Sequence, residues 1–142
     1  MHPMLLRVLV PAIVLAALGG LPSAQAQSHN QPNVIVENGN IRVDPDPIRL
    51  RRSQVINGRW QILWVLSRAD GYRFTDDGIT LHPAEEDGRL PDDLRCFKLS
   101  NGVRFTCSFK PRLGAFNYKY DVNLLDPSGT RISVDPIINT DF

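Results

Sequence analysis

The chain has 142 residues, with 16 Lys and Arg against 15 Asp and Glu, and only two cysteines. That length supports one domain with a modest hydrophobic core. A charge so near balance argues against nucleic acid or an anionic membrane as the main partner, because both are recognised through an excess of positive charge.

Residues 1–26 read as a secretory leader and not as fold. His2 and Arg7 give a weakly basic start, residues 9–18 an apolar core, and Ala24-Gln25-Ala26 a small-x-small cleavage site. The apolar run is too short for a membrane anchor and is broken by Gly19-Gly20 and Pro22. No cysteine stands near the cleavage site, so a lipid-anchored form is not expected. The expected location is the periplasm or the exterior of a bacterium, with no membrane anchor after cleavage. Loss of Arg7 leaves 15 basic and 15 acidic residues, no methionine, and His29 and His82 as the histidines. The expected organisation is a flexible polar tail over 27–33 and one β-sandwich domain over 34–142.

Val34-Ile35-Val36 and Ile41-Arg42-Val43 predict two short strands around an Asn38-Gly39 turn. Asp44-Pro45-Asp46-Pro47 cannot sit inside a sheet, since neither proline donates to a ladder, and is expected to bend the chain from one sheet to the other. Ile48-Arg49-Leu50-Arg51 alternates, with Ile48 and Leu50 inward. Arg49, Arg51 and Arg52 are then a possible interaction surface, or else the charged face that discourages an edge strand from pairing with other chains. Asn57-Gly58 is a hairpin signal. In Trp60-Gln61-Ile62-Leu63-Trp64-Val65-Leu66 the tryptophans share a face with Ile62 and Leu66, while Leu63 and Val65 lie opposite. A run apolar on both faces predicts a central strand, with the tryptophans in the core.

Tyr72-Arg73-Phe74 and Ile79-Thr80-Leu81 predict two further strands separated by a turn at Asp76-Asp77-Gly78. An acidic, proline-punctuated loop follows from His82 to Asp93, and Pro91-Asp92-Asp93-Leu94 suits one helical turn. Asn101-Gly102 is a two-residue hairpin loop. Its register pairs positions summing to 203, which sets Cys96 directly opposite Cys107 and predicts a structural disulfide. The clearest strand runs over 114–124, with Phe116, Tyr118, Tyr120, Val122 and Leu124 on one side and Asn117, Lys119, Asp121 and Asn123 on the other. Asp126-Pro127-Ser128-Gly129 is a turn, Arg131-Ile132-Ser133-Val134 a returning strand, and Asp135-Pro136 a bend before Ile137-Ile138. The fold class is all-β: one antiparallel or mixed Greek-key sandwich.

Ile41-x-Val43-x-Pro45-x-Pro47-Ile48-x-Leu50, Gln61-Ile62-Leu63-Trp64 and Gly71-Tyr72-Arg73-Phe74 resemble the first half of a cupredoxin-like domain. Gly114-x-Phe116-x-Tyr118-x-Tyr120 resembles its late strand. The resemblance implies a sandwich and no copper: Tyr120 stands where the family has its cysteine, and the histidines and methionine of a blue-copper centre are missing. An immunoglobulin-like sandwich is the rival, although both tryptophans precede both cysteines.

For function, the leading expectation is a non-catalytic exported sandwich that binds an unknown protein or cell-envelope component, with no cofactor and no nucleic acid despite the local cluster of Arg49, Arg51, Arg52 and Arg59. One alternative is metal binding through His82 and the acidic 85–93 loop, with Glu85, Glu86 and Asp87 as further ligands. The other is a hydrolase. His82 is then the available base, or Asp76 and Glu86 a carboxylate pair; no catalytic residue is assigned.

Overall fold

A computed structural model describes residues 30–86, 88–99 and 101–142. The leader, His29 and Asp87 lie outside them. Ten strands form two five-stranded, mixed sheets stacked as a sandwich. The first sheet (sheet A) contains β1 (Asn33–Glu37), β2 (Asn40–Asp44), β4 (Trp60–Ser67), β6 (Asp92–Lys98) and β7 (Arg104–Lys110) in the order β2-β1-β4-β7-β6. In the second (sheet B), β3 (Ile48–Arg51), β10 (Ile137–Asp141), β8 (Ala115–Leu125) and β5 (Arg73–Pro83) lie side by side, and β9 (Arg131–Val134) also pairs with β8. Among the described residues, helix is limited to one 3-10 turn at Arg52–Gln54.

The long alternating strand and the tryptophan strand lie where their patterns place them. In β8 the inward set Tyr118, Tyr120, Val122 and Leu124 is buried, and β8 runs through the middle of sheet B. β4 is the centre of sheet A, with Trp60, Ile62 and Trp64 almost without exposure. Aromatic pairs join the sheets across the core: Trp64 with Tyr120 at 5.3 Å, Phe105 with Phe74 at 5.6 Å, and Phe109 with Tyr118 at 6.1 Å between centroids. Their tilted and edge-on arrangements are those favoured by the ring quadrupole.

Asp44-Pro45-Asp46-Pro47 does carry the chain between layers, from β2 in sheet A to β3 in sheet B. Asn57-Gly58 closes only the single bridge Ile56–Arg59, because the chain crosses back to sheet A there. Both loop residues have positive φ, 52° and 72°, as a two-residue turn of this hand demands. The described end of the expected tail, residues 30–33, is bonded along β4: the Leu63 and Val65 amides donate to the Asn30 and Pro32 carbonyls.

Three local expectations change. First, Asp76-Asp77-Gly78 does not divide two strands but forms a bulge inside β5. Phe74 pairs with Leu124 and Ile79 with Val122, so residues 75–78 stand opposite Asn123 alone. Buried Asn123 fills the gap by donating to the Asp77 carbonyl at 2.8 Å and accepting from Ser133 Oγ at 2.6 Å. Second, Pro91-Asp92-Asp93-Leu94 is not helical. β6 starts at Asp92, and Asp93 sits in a second bulge with φ 52°. Pairing with β7 satisfies more backbone groups than one isolated helical turn does. Third, Asp135-Pro136 does not break the register, since β9 and β10 follow β8 with the same offset on both sides of it. The Tyr120 amide donates to the Pro136 carbonyl, and only the bond that proline cannot return is missing.

Gly78 explains why the β5 bulge is tolerated. A Cβ there would lie 2.8 Å from Phe74 Cβ and 2.9 Å from Phe105 Cδ2. Gly78→Ala is expected to overpack this joint and cost about 1–3 kcal/mol, whereas Gly39→Ala meets no atom within 4 Å and pays only for its φ of +78°. Urea midpoints of the two variants check this; a Gly78→Ala protein as stable as the parent contradicts it.

Candidate functional site

The outer face of sheet A is built from side chains that alternate with the core. On β4 these are Gln61, Leu63 and Val65, and on β7 Arg104, Thr106 and Ser108. Cross-strand pairing lines them up in rows. Leu63, Thr106 and Phe97 form one row across β4, β7 and β6, and Gln61, Ser108 and Arg95 the next. Ile56, from the turn before β4, joins them at the rim of a groove of about 570 Å³. Phe97 is 56% exposed and Ile56 69%, so two large apolar side chains face water on one surface. Such a cluster marks an interaction surface more often than a lone exposed apolar residue does.

The groove is braced from both ends. Arg59 reaches over the sheet. It donates through Nη1 to Asp93 Oδ2, and through Nη2 to the Asp93 and Ser108 carbonyls at 2.6 and 3.1 Å. Arg59, with help from Arg95, holds the Asp93 carboxyl below the usual carboxylate range. This clamp uses the β6 bulge, which brings the Asp93 carbonyl and carboxylate to one guanidinium. The disulfide between Cys96 and Cys107 ties β6 to β7 with 4.1 Å between Cα atoms, in the expected register. Thr106, buried in the groove floor, donates to the Ile62 carbonyl at 2.9 Å.

Comparison with protein-family models, curated proteins and solved structures finds no match.

The arginines singled out in the sequence separate. Arg49 and Arg51 point outward from β3, an edge of sheet B, where they border a shallow depression with Asn139 and Asp141. Arg52 turns to the end of the sandwich, its guanidinium 5.2 Å from the centre of the Phe142 ring. Each is well exposed, and Arg51 also accepts, through its carbonyl, a hydrogen bond from Trp60 Nε1 at 2.9 Å.

His82 is not gathered with the acidic loop. Its Nε2 lies 2.7 Å from Asp121 Oδ2, across the β5–β8 ladder on the outer face of sheet B. Glu85 and Glu86 are exposed beyond the end of β5. Asp92 is shared by Arg89 and Arg112, Asp76 pairs with Lys98, and Asp77 with Arg131. Among the described residues no three His, Cys, Asp or Glu side chains converge. Within the loop, Asp92 and Asp93 are taken up by arginines, while Glu85 and Glu86 have no ion pair among the described residues.

Phe97 and Ile56 were not singled out from the sequence, although a signal for Phe97 existed. Once Cys96 is placed facing the core by its pairing with Cys107, the neighbouring Phe97 must face outward. Ile56 carries no such signal, because it lies outside any alternating run.

Proposed function

We propose that this protein is a small exported β-sandwich of cupredoxin-like shape, without the copper ligands, that acts as a non-catalytic binding module for a protein of the cell envelope. The resemblance to cupredoxin-like domains is supported by the two-layer architecture, the crossing at Asp44-Pro45-Asp46-Pro47 and the central position of β8. Export is supported by the leader-like residues 1–26 and by a disulfide, a bond that persists in oxidising compartments.

The binding role rests on one observation: Phe97 and Ile56 stand exposed on the rim of a groove whose floor is Leu63 and Thr106. Aromatic and aliphatic side chains fixed on a braced sheet lose little entropy when a partner covers them, which is what makes such residues anchors. Arg95 beside them adds a charged rim.

The test is photo-crosslinking from position 97 in intact cells, followed by recovery from envelope extracts with the wild-type protein and Phe97→Ala/Ile56→Ala. A defined partner that is lost from the double variant is expected, with binding weaker by about tenfold or more. Leu113→Ala, which removes a still more exposed apolar side chain elsewhere, serves as the control. Equal recovery by the double variant and the wild type defeats this reading.

A further inference from the structure

A second cavity, of about 320 Å³, opens at one end of the sandwich, where β5 leaves β8. It is lined by the start of β8, the segment after β5 and Arg112 from the connection before β8. Three kinds of group meet there.

The first is a strand edge with no strand beside it among the described residues. β5 pairs with β8 only as far as Pro83 opposite Tyr118. Gly114 exchanges both backbone bonds with Phe142, and the Tyr120 amide bonds Pro136, so the even-numbered β8 residues bond towards β10. In an antiparallel ladder the odd-numbered ones then face the other way. The backbone N–H and C=O groups of Ala115 and Asn117 are therefore aimed at the cavity.

The second is a guanidinium with capacity to spare. Arg112 lies 4.8 Å above the Phe116 ring and is mostly covered. Its Nη2 donates to the Leu90 carbonyl at 3.2 Å and, at 3.5 Å, to Asp92. Its Nε is enclosed and has no hydrogen-bond partner among the described residues. Arg89, also in the lining, uses the same Asp92 oxygen, so two cations share one carboxylate. The third is Glu85, which lines the cavity and has no ion pair among the described residues.

We propose that this cavity binds a free α-amino acid with an apolar side chain. Its carboxylate is taken by Arg112 and Arg89, its ammonium by Glu85 and the backbone carbonyls of the open β8 edge, and its side chain by Phe116 and Tyr118. A cavity lined by both signs of charge is matched to a zwitterion and poorly matched to a simple anion or cation, because each of these leaves the like-charged side of the lining without a partner and facing it. The volume is at the small end of ligand sites, which suits a molecule of this size and not a longer peptide. The site is separate from the Phe97 groove, so either assignment can fail without the other.

The experiment is a titration of isotope-labelled protein with L-phenylalanine and L-leucine, followed through the backbone amides of residues 115–118. Saturable shifts in the millimolar range or below are expected. N-acetyl-L-phenylalanine and L-phenylalanine amide, each lacking one charge, are expected to bind about tenfold more weakly or worse. Glu85→Gln, which removes an exposed carboxylate, is expected to weaken the amino acid and leave the N-acetyl compound unchanged. Arg112→Lys, which keeps the charge but not the fork, is expected to weaken both. Absence of shifts at these amides overturns the proposal, as does equal affinity for the N-acetyl compound. A dipeptide that binds as tightly as the amino acid overturns the assignment to a free amino acid.

Discussion

Replacing Trp64 with alanine is expected to cost about 3–5 kcal/mol, the range found for large aromatic side chains removed from cores. Trp64 sits on the central strand of sheet A, has no exposed surface, and meets Tyr120 on the central strand of sheet B. Its removal opens a cavity where neither layer has a free end that can collapse inward. The loss is one of packing alone: the Trp64 Nε1 and the Tyr120 hydroxyl are both buried without a hydrogen bond of ordinary geometry. Burial pushes the Tyr120 hydroxyl far above its normal pKa, and the nearby indole N–H offsets only some of that. Trp64→Phe should therefore recover much of the stability, since it restores ring contact and removes the unpaired indole N–H, while the Tyr120 hydroxyl stays buried as before. Urea denaturation of the three proteins measures this. A Trp64→Ala variant within 1 kcal/mol of the parent would show that the two sheets are not held together at this point, against the range expected for such sites.

Removing the disulfide is the second large effect. Cys96 and Cys107 are 11 residues apart, and the bond closes the β6–β7 hairpin. For a loop of this size the entropy lost by the unfolded chain corresponds to about 3 kcal/mol, within the 2–5 kcal/mol usual for small exported domains. Cys96→Ala/Cys107→Ala should show that loss, and reductant should shift the midpoint of the parent but not of the variant. The local consequence is as informative. β6 is an edge strand whose only ladder in sheet A is with β7, so hydrogen exchange should rise first along β6. If exchange rises equally everywhere, β6 does not open as a unit.

The fold was legible where a pattern repeats and has one outlet. Phe116 to Leu124 alternates long enough that only a strand fits, and the register sum of 203 located both the hairpin and the disulfide. Trp60 to Leu66 announced a central strand by being apolar on both sides. The errors fell where one residue type serves two structures. Asp76-Asp77-Gly78 has the composition of a turn, but its glycine is required because Phe74 and Phe105 leave no room for a Cβ. Pro91-Asp92-Asp93 suits a helix start equally well, and the deciding partner, Arg59, lies 34 residues away. The arginines and acids of the candidate sites were visible as charges but not as pairs. His82 meets Asp121 and not Glu85, because strand register, unseen in composition, chose the neighbour.

The parallel pairs set the order of assembly. β3 has β10 as its neighbour, from the far end of the described chain, and β1 joins sheet A beside β4 only after an excursion through sheet B. Every strand of sheet A has appeared by Lys110, but sheet B cannot close until Ile137–Asp141 is available, since it lacks the strand that joins β3 to β8. Closing such long loops is slow. The protein should spend its first moments as an open chain, able to pass through narrow places that the finished sandwich cannot enter.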